Sequence, residues 1–469
     1  MIEGSAVVIR ENTRISEHGP RYLSRIRRWN TSLPAGVVAP ILVMVFAALT
    51  FAVHWQGPTR RAQGDTYWYL RSIQIFRGVE PSLAGRRAGI SVCRDINRAH
   101  RADPALSSCP GTYAAISHPR YRAIFESRPG YPVLSLPAVA LLGPWWGMAA
   151  TSAMVFVALS LLTYLGCRLS GLSAPAAAIG GCLLAVLPVA YWNSRMLAEG
   201  PAMLAAGGAL IGGLLVLRDR WARGVWLLVG SLTAACAAKP ACGVATALAL
   251  TAAGLVLGLR PRRWGRRAPG WVVAGSGLVC IGGWLLISRQ AGLPSLGETV
   301  QDMATSHFKR PDVADPMAVL VQSAASLWTD TAPSRLGLPW PLIMVLPACG
   351  YALWRLGARG LLWAGVSLAP IAVVTAHPLV SEYSRLIGPS WIAVALAAAV
   401  ASDHLRDARG PVRKAAQGPA PNPHGQCALE STAAARRHQV LLPEAPGTLK
   451  GHHLWSPLAT LGSLLRPDG

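Results

Sequence analysis

Lysine and acidic residues are scarce in this chain. Only four of its 44 basic residues are lysines, and 21 residues are Asp or Glu, which leaves a net charge of +23. Charged residues make up 14% of the 469 residues, whereas soluble proteins average about 25%. This composition excludes an ordinary soluble domain and leaves arginine as the dominant charge.

Motifs for nucleotides, nucleic acids and metals are also missing. The chain has no Walker pattern and no Gly-x-Gly-x-x-Gly after a strand. No zinc-knuckle, RRM or helix-turn-helix pattern accompanies the arginines. His424, His452 and His453 have no Cys or carboxylate at a metal-site spacing. We therefore predict no nucleic-acid partner, no direct use of ATP and no metal site at these histidines.

Long apolar blocks dominate what is present. Hydrophobic residues make up 52% of the chain, in blocks near the roughly 20 residues that cross a bilayer as a helix. The pattern predicts an all-α integral membrane protein with about ten transmembrane helices. The predicted spans are 37–53, 145–166, 174–192, 200–217, 225–238, 241–259, 271–288, 339–354, 361–376 and 386–402. The run 133–142 is too short to cross, and we expect it to lie at the outer interface.

Arginine placement predicts the orientation. Arginines precede the first span and fill the short loops on one side, as is typical of the cytoplasmic side. We predict a multi-pass plasma-membrane protein with both termini in the cytoplasm, in contact with membrane lipid and without a cleaved signal peptide. The predicted regions are a basic N-terminus (1–34), a transmembrane domain (35–402) and a mostly disordered tail (403–469). Two extracytoplasmic loops follow from this topology, a large one at 55–131 and another at 289–338.

Two cysteines lie in the first outer loop. Cys93 and Cys109 are on the side of the membrane where disulfides persist, so we expect them to pair. The alternative is two free thiols. Most of the other cysteines lie in apolar blocks, where Cys behaves as a small hydrophobe.

A single acid follows the first span in the stretch GDTYWYL, residues 64–70. Aromatic rings pack at the headgroup level, and Asp65 beside them is placed to act on a substrate that arrives in the lipid. The alternative interpretation is that Asp65 caps a helix beginning at Thr66.

Other ionisable side chains recur at the outer ends of the predicted spans. Guanidinium groups suit a phosphate, and a carboxylate suits deprotonation of an acceptor. The set comprises Asp65, His118, Arg120, Arg122, Arg128, Arg195, Glu199, Lys239, Glu382, Tyr383 and Arg385. For the cations the alternative is snorkelling to lipid headgroups, for Glu199 a favourable place at a helix start, and for His118 a solvated turn.

The motifs in order resemble the polytopic glycosyltransferases of the C-type fold (GT-C), which use polyprenyl-phosphate sugars. They are GDTYWYLR (64–71), RPGYP (128–132), SRMLAEGP (194–201), AKP (238–240) and YSRLIGP (383–389). Over about residues 35–402 the layout is similar to the protein mannosyltransferases and the lipid A aminoarabinose transferases.

The resemblance implies transfer of a sugar from a polyprenyl-phosphate carrier to a protein, lipid or glycan acceptor at the extracytoplasmic face. By position Asp65 would be the general base, and Lys239 and Arg385 would hold the donor phosphate. The candidate substrate-binding residues are His118, Arg128, Arg195, Glu199, Lys239, Glu382, Tyr383 and Arg385. Many relatives carry an acidic pair after the first span, whereas Asp65 follows a glycine, so no cofactor is assigned and a divalent cation is left open.

Three other functions stay open at this point. The first is a transporter or flippase of an amphipathic lipid or glycan precursor, although the sequence has no internal repeat and its charges gather at one face. The second is a transferase or polymerase of cell-wall glycans with another donor. The third is a scaffold that keeps the fold without activity.

Overall fold

The computed structural model describes residues 33–57, 59, 61–99, 118–260, 267–331 and 340–416. The chain divides into two compact units, Met1–Arg409 and Gly410–Gly469. The site described below lies wholly in the first unit, and of the second only residues 410–416 are described, as helix. No strand occurs in these described ranges.

The described residues form α-helices joined by short turns. In chain order the first nine are α1 (Leu33–Gln56), α2 (Gly64–Phe76), α3 (Pro81–Ala99), α4 (Pro119–Glu126), α5 (Gly130–Leu169), α6 (Ala174–Leu184), α7 (Val189–Asn193), α8 (Glu199–Val216) and α9 (Trp221–Ala238). The others are α10 (Pro240–Leu259), α11 (Arg267–Gln290), α12 (Leu296–Ala304), α13 (Pro316–Ser326), α14 (Trp340–Leu356), α15 (Ala358–Ala376), α16 (Tyr383–Ile387) and α17 (Ile392–Ala416).

Eight helical stretches of the described chain are long and apolar enough to cross a membrane. They are Gly36–Gln56, Gly130–Leu169, Glu199–Val216, Trp221–Ala238, Pro240–Leu259, Arg267–Gln290, Ala358–Ala376 and Val380–Ala408. The described residues are therefore all-α, and their long apolar helices are consistent with the predicted multi-pass membrane protein. The predicted spans 174–192 and 339–354 fall on shorter apolar helices, Ala174–Leu184 and Pro341–Leu356, so the number ten is not reached by length.

Helix α5 differs from the prediction. The run 133–142, expected as a separate interfacial segment, belongs to the same 40-residue element as the second span. Gly143 interrupts it with φ 77° and ψ 170°, a conformation open to glycine, and Pro144 follows. The two apolar runs are thus consecutive helices joined at a kink.

Helix α17 also runs past its predicted end. It continues from Ile392 to Ala416, so residues 403–416, assigned to a disordered tail, are helical. Ala, Arg and Lys in this stretch favour a helix, which lets it leave the apolar region without a break. The rest of the predicted tail and the predicted N-terminus up to residue 32 lie outside the described residues.

The polar segments between spans carry short helices. The first, predicted as the loop 55–131, contains α2, α3 and α4, and the second, predicted as 289–338, contains α12 and α13. Cys93 on α3 is disulfide-bonded. Cys109, its predicted partner, lies outside the described residues, so the pairing of these two cysteines stays a prediction.

Small residues bring the membrane helices together. A Cβ added at Gly212 of α8 would lie 2.5 Å from the backbone nitrogen of Leu228 on α9. Such backbone contact gives close van der Waals packing, the main attraction between helices in lipid. Helix α10 packs in the same manner against α11 and α15. This close packing fixes the positions of the ends of α8, α9, α10 and α15, and the site described below is built from these ends.

Candidate functional site

Arg385 on α16 is surrounded by three carboxylates from three segments. Its Nη1 lies 3.2 Å from Asp65, its Nε 3.0 Å from Glu199, and its Nη2 2.5 Å from Glu382. The Arg385 side chain is 12% exposed. A guanidinium can pair with several carboxylates at once because its N–H donors form a rigid planar fork.

Lys239 completes the ionic cluster, which we define as Asp65, Glu199, Lys239, Glu382 and Arg385. Its Nζ lies 2.6 Å from Oε1 of Glu199, and both side chains are buried. Lys239 ends α9 and precedes Pro240, the first residue of α10. Proline at this position cannot extend α9 but suits the start of α10, so the chain turns at Lys239.

Asp65 lies in the first turn of α2, with its carboxylate toward Arg385. The helix begins at Gly64 and Gln63 is its N-cap, so the interpretation of Asp65 as the cap of a helix from Thr66 is wrong. The Thr66 hydroxyl accepts a hydrogen bond from the Gln63 backbone and donates one to the carbonyl of Met196, each 2.9 Å long. These bonds fix the start of α2 against the segment before α8.

Arg128 lies beside the cluster. Its guanidinium is 5.0 Å from the ring centre of Phe125 and is hydrogen-bonded to Tyr69, and the charges of Asp65 and Glu199 act on it. Tyr69 is fully buried on α2, and burial followed by the charge of Asp65 raises the pKa of its hydroxyl. Tyr69 is therefore a neutral hydrogen-bonding group at this position.

Gly130 is the reason that Arg128 approaches the cluster so closely. A Cβ at Gly130 would lie 2.6 Å from the backbone nitrogen of Ala238, the residue before Lys239. The start of α5 therefore touches the end of α9, backbone to backbone. Only glycine allows this approach.

His377 follows α15 and is half-buried. Burial, and then the charges of Lys239, Arg128 and Arg385, lower the pKa of its imidazole to about 3. His377 is therefore neutral at physiological pH, and its imidazole can donate or accept a hydrogen bond near the charged residues of the cluster.

A narrow, mostly apolar cleft leads away from the cluster between α8, α10, α15 and α17. Glu199, Lys239 and Arg385 form its polar end. The remaining lining is Ala202, Met203, Ala206, Gly207, Cys242, Thr246, Val366, Ala369, Pro370, Val373, Leu386, Pro389 and Ile392. A wider apolar groove of about 670 Å³ runs along the other side of α8 and ends at Gly130 and Ala238.

Two of the predicted substrate-binding residues lie elsewhere. Arg195 is buried, with its guanidinium 4.3 Å from the Tyr191 ring centre and donating to Thr59 at 2.7 Å. It fastens the segment before α8 to the end of the first span. His118 is exposed and stacks on Phe308, 5.1 Å between ring centres.

The remaining predicted residues are near the cluster or in the polar segments between spans. Tyr383 is buried and packs edge-on against Trp328 at 6.2 Å, next to the Glu382 of the cluster. Arg120 pairs with Glu298 and Asp312, each at 2.7 Å, and Arg122 lies 3.5 Å from Glu126. Arg120 therefore links α4 to α12 and to the segment that follows it.

Sequence reasoning missed Tyr69, His377 and His307 as residues of this region. Tyr69 falls within the stretch that was singled out, and its position four residues after Asp65 places both on one face of a helix. His377 precedes Pro378 at the end of a predicted span, as His118 precedes Pro119 in the first outer loop. His307 had no local signal, because only the fold brings its segment to α4.

The cluster has the chemistry of an anion site with a base. Three carboxylates face Lys239 and Arg385, and Oε2 of Glu199 is buried without a hydrogen-bond partner among the described residues. No group of three or more His, Cys, Asp or Glu able to hold a metal ion occurs in the described ranges. The arrangement allows a phosphate to exchange with a carboxylate at Arg385.

No known protein family, curated protein sequence or solved structure matches this chain.

Proposed function

We propose that the protein is a membrane glycosyltransferase that moves a sugar from a polyprenyl-phosphate carrier to an acceptor at the extracytoplasmic face of the plasma membrane. One observation supports this most: Lys239 and Arg385 stand with carboxylates at the polar end of an apolar cleft between membrane helices. The two cations suit a phosphate head, and the wider apolar groove of about 670 Å³, which ends at Gly130 and Ala238 beside Lys239, has room for a hydrocarbon chain. The ordered motifs that resemble the C-type glycosyltransferases agree with this chemistry.

In the proposed reaction the donor phosphate binds Lys239 and Arg385. Because phosphate competes for the Arg385 guanidinium, its binding frees the Asp65 carboxylate that lies 3.2 Å away. Asp65 then accepts the proton of an acceptor hydroxyl or amine, whose oxygen or nitrogen attacks the anomeric carbon. The bond from that carbon to the phosphate oxygen breaks, and its electron pair leaves with the lipid phosphate, where the two cations stabilise it.

Glu199 and Glu382 have a different role in this scheme. Glu199 pairs with both cations and Glu382 with Arg385, so they hold the phosphate-binding side chains in place before the donor arrives. Preorganised charges are the effective ones, because they need no rearrangement during the reaction. Only Asp65 is assigned the role of base.

The experiment compares wild type with Asp65→Asn, both purified in detergent, on a panel of polyprenyl-phosphate sugars with membrane extract as acceptor. Release of free lipid phosphate is measured. Asp330→Asn is the matched control, because Asp330 is an exposed carboxylate of the second outer segment. Thermal unfolding and size-exclusion profiles verify that the variants fold.

We expect release by wild type and Asp330→Asn, and a decrease by about 100-fold or more for Asp65→Asn, the usual scale for a general base. Equal release by Asp65→Asn and wild type would remove Asp65 as the base. Absence of release from every donor would reject the transferase and favour a transporter of an amphipathic lipid.

A further inference from the structure

Three consecutive residues after α12 have a left-handed backbone. Ser306, His307 and Phe308 have φ of 53°, 65° and 55°. Side-chain-bearing residues rarely adopt this conformation, and single residues, not runs, are the usual case. Such a turn persists only where its surroundings hold it, and it is often found at functional sites.

Helix α4 supplies the residues that hold this turn. The His118 ring stacks on the Phe308 ring, and the Arg120 guanidinium lies 4.5 Å from the centre of that same ring. Arg120 also pairs with Glu298 on α12 and with Asp312 beyond the turn. Phe308 is thus fixed by a segment almost 200 residues earlier in the chain.

The contacts of His118 and Arg120 with Phe308 also fix the neighbouring imidazole of His307. Its Nδ1 lies 3.2 Å from Oδ1 of Asp302, a buried carboxylate, and its ring centre lies 4.9 Å from that of Tyr121. Through Nε2 the imidazole makes no hydrogen bond to a described residue, and its side chain is 41% exposed. One nitrogen is therefore engaged and the other remains available.

Tyr121 of α4 connects His307 to the helix that carries Asp65. Tyr121 stands between them, since its ring also lies 5.8 Å from that of Trp68 on α2. The hydrogen bond that His307 donates to Asp302 raises the pKa of its imidazole. Burial and the charge of Lys309 oppose this rise, while the charge of Asp65 adds to it. The charge of His307 in turn lowers the pKa of His377 after α15.

The hydrogen bond to Asp302 makes the chemistry of Nε2 dependent on protonation. In neutral His307 the single proton lies on Nδ1, toward the carboxylate, and Nε2 has only a lone pair. In the imidazolium form both nitrogens donate. A donor is therefore present at Nε2 only while His307 is charged.

We propose that protonated His307 binds the sugar acceptor by donating a hydrogen bond from Nε2 to an oxygen of the acceptor. This assignment rests on the proposed function. Lys239 and Arg385 already suit the phosphate of the donor and the wider apolar groove its chain, whereas His307 comes from a polar segment outside the spans. Asp302 and Tyr121 are positioning residues for its ring.

The test compares His307→Ala and His307→Gln with wild type in the lipid-phosphate release assay. The donor is the polyprenyl-phosphate sugar that wild type consumes, and membrane extract is titrated as acceptor. Arg310→Gln, at an exposed position of the same segment, is the control. We expect His307→Ala to raise the half-saturating amount of extract about tenfold or more. The half-saturating concentration of the donor should stay within about twofold of the wild-type value.

Two further readouts separate binding from a structural role. The Gln amide donates a hydrogen bond at every pH, so His307→Gln should recover most of the loss seen with Ala. Wild type should need more extract as the pH rises through the range where His307 loses its proton, and His307→Gln should lack that dependence.

The assignment would be overturned if His307→Ala raised the half-saturating amounts of donor and extract equally. It would also be overturned if His307→Gln needed as much extract as His307→Ala. An unchanged pH dependence in His307→Gln would overturn it as well. If Asp65→Asn is inactive while His307→Ala matches wild type, only the role of His307 falls. If wild type releases nothing from any donor, the proposed function falls and takes this assignment with it.

Discussion

Lys239 and Glu199 form a buried ion pair of 2.6 Å between two helix ends of the membrane domain. Glu199 begins α8 and Lys239 joins α9 to α10, so one contact fastens three helices. The Glu199 carboxylate also lies 3.0 Å from Arg385. Glu199 therefore neutralises two cations, whereas Lys239 neutralises part of one anion.

This asymmetry predicts unequal costs of removing the partners. Glu199→Gln leaves the buried Lys239 without its anion, while Arg385 keeps Asp65 and Glu382, and should lower the free energy of unfolding by about 3–5 kcal/mol. Lys239→Met leaves Glu199 paired with Arg385 and should cost less, about 1–3 kcal/mol. Detergent-titrated unfolding of the purified variants measures both.

The double variant Glu199→Gln, Lys239→Met is the control for this comparison. It removes the charges together, so it should be more stable than Glu199→Gln alone. Equal stability of the two single variants would contradict the assignment of Glu199 as the shared anion.

The residues of the cluster were predictable as a group because all follow the outer ends of apolar blocks. Asp65, Glu199, Lys239 and the Glu382–Arg385 pair come from four separate segments, yet block length alone predicts one membrane depth for them. The hydropathy pattern encodes the depth of a residue in the membrane. The direction of each side chain around the bundle axis is not encoded in hydropathy, so the sequence could not predict which of these side chains meet.

Arg195 illustrates the limit. It stands four residues before Glu199, at a similar depth, yet its guanidinium packs on Tyr191 and bonds to Thr59, away from Arg385. The segment between them is a series of turns, not a regular helix, so no periodicity relates the two side chains. The kink of α5 at Gly143 and the left-handed turn at His307 likewise depend on contacts made only in the folded chain.

The contact at Gly130 predicts a backbone effect on the site. Gly130→Ala places a Cβ against the backbone of Ala238, so α5 and α9 must separate. We expect a loss of about 1–3 kcal/mol in unfolding free energy, as for other overpacked contacts. Because Ala238 precedes Lys239, donor binding should weaken as well.

The matched control for this variant is Gly275→Ala on α11, where an added Cβ meets no atom within 4 Å. That substitution should leave stability equal or raise it by up to about 1 kcal/mol, because alanine favours a helix. Equal effects of the two variants would show that the close approach at Gly130 is unimportant. Unfolding and donor-release assays on both proteins decide the matter.

His377 predicts a stability loss on acidification. Its pKa is lowered from the ordinary 6.5 to about 3 in the folded protein, first by burial and then by Lys239, Arg128 and Arg385. Below pH 6.5 the unfolded chain binds a proton at His377 that the folded chain does not. The contribution of neutral His377 to the free energy of unfolding is thus fully present above pH 6.5 and declines as the pH falls toward 3.

His377→Gln should remove this dependence, because an amide does not titrate. Between pH 6.5 and pH 5 the unfolding free energy of wild type should fall relative to the variant by about 1 kcal/mol per pH unit, allowing for partial exposure. Thermal unfolding of both proteins across this range measures the difference. Parallel pH curves would mean that the imidazole has the same pKa in the folded and unfolded chains, so that burial and the surrounding cations do not lower it.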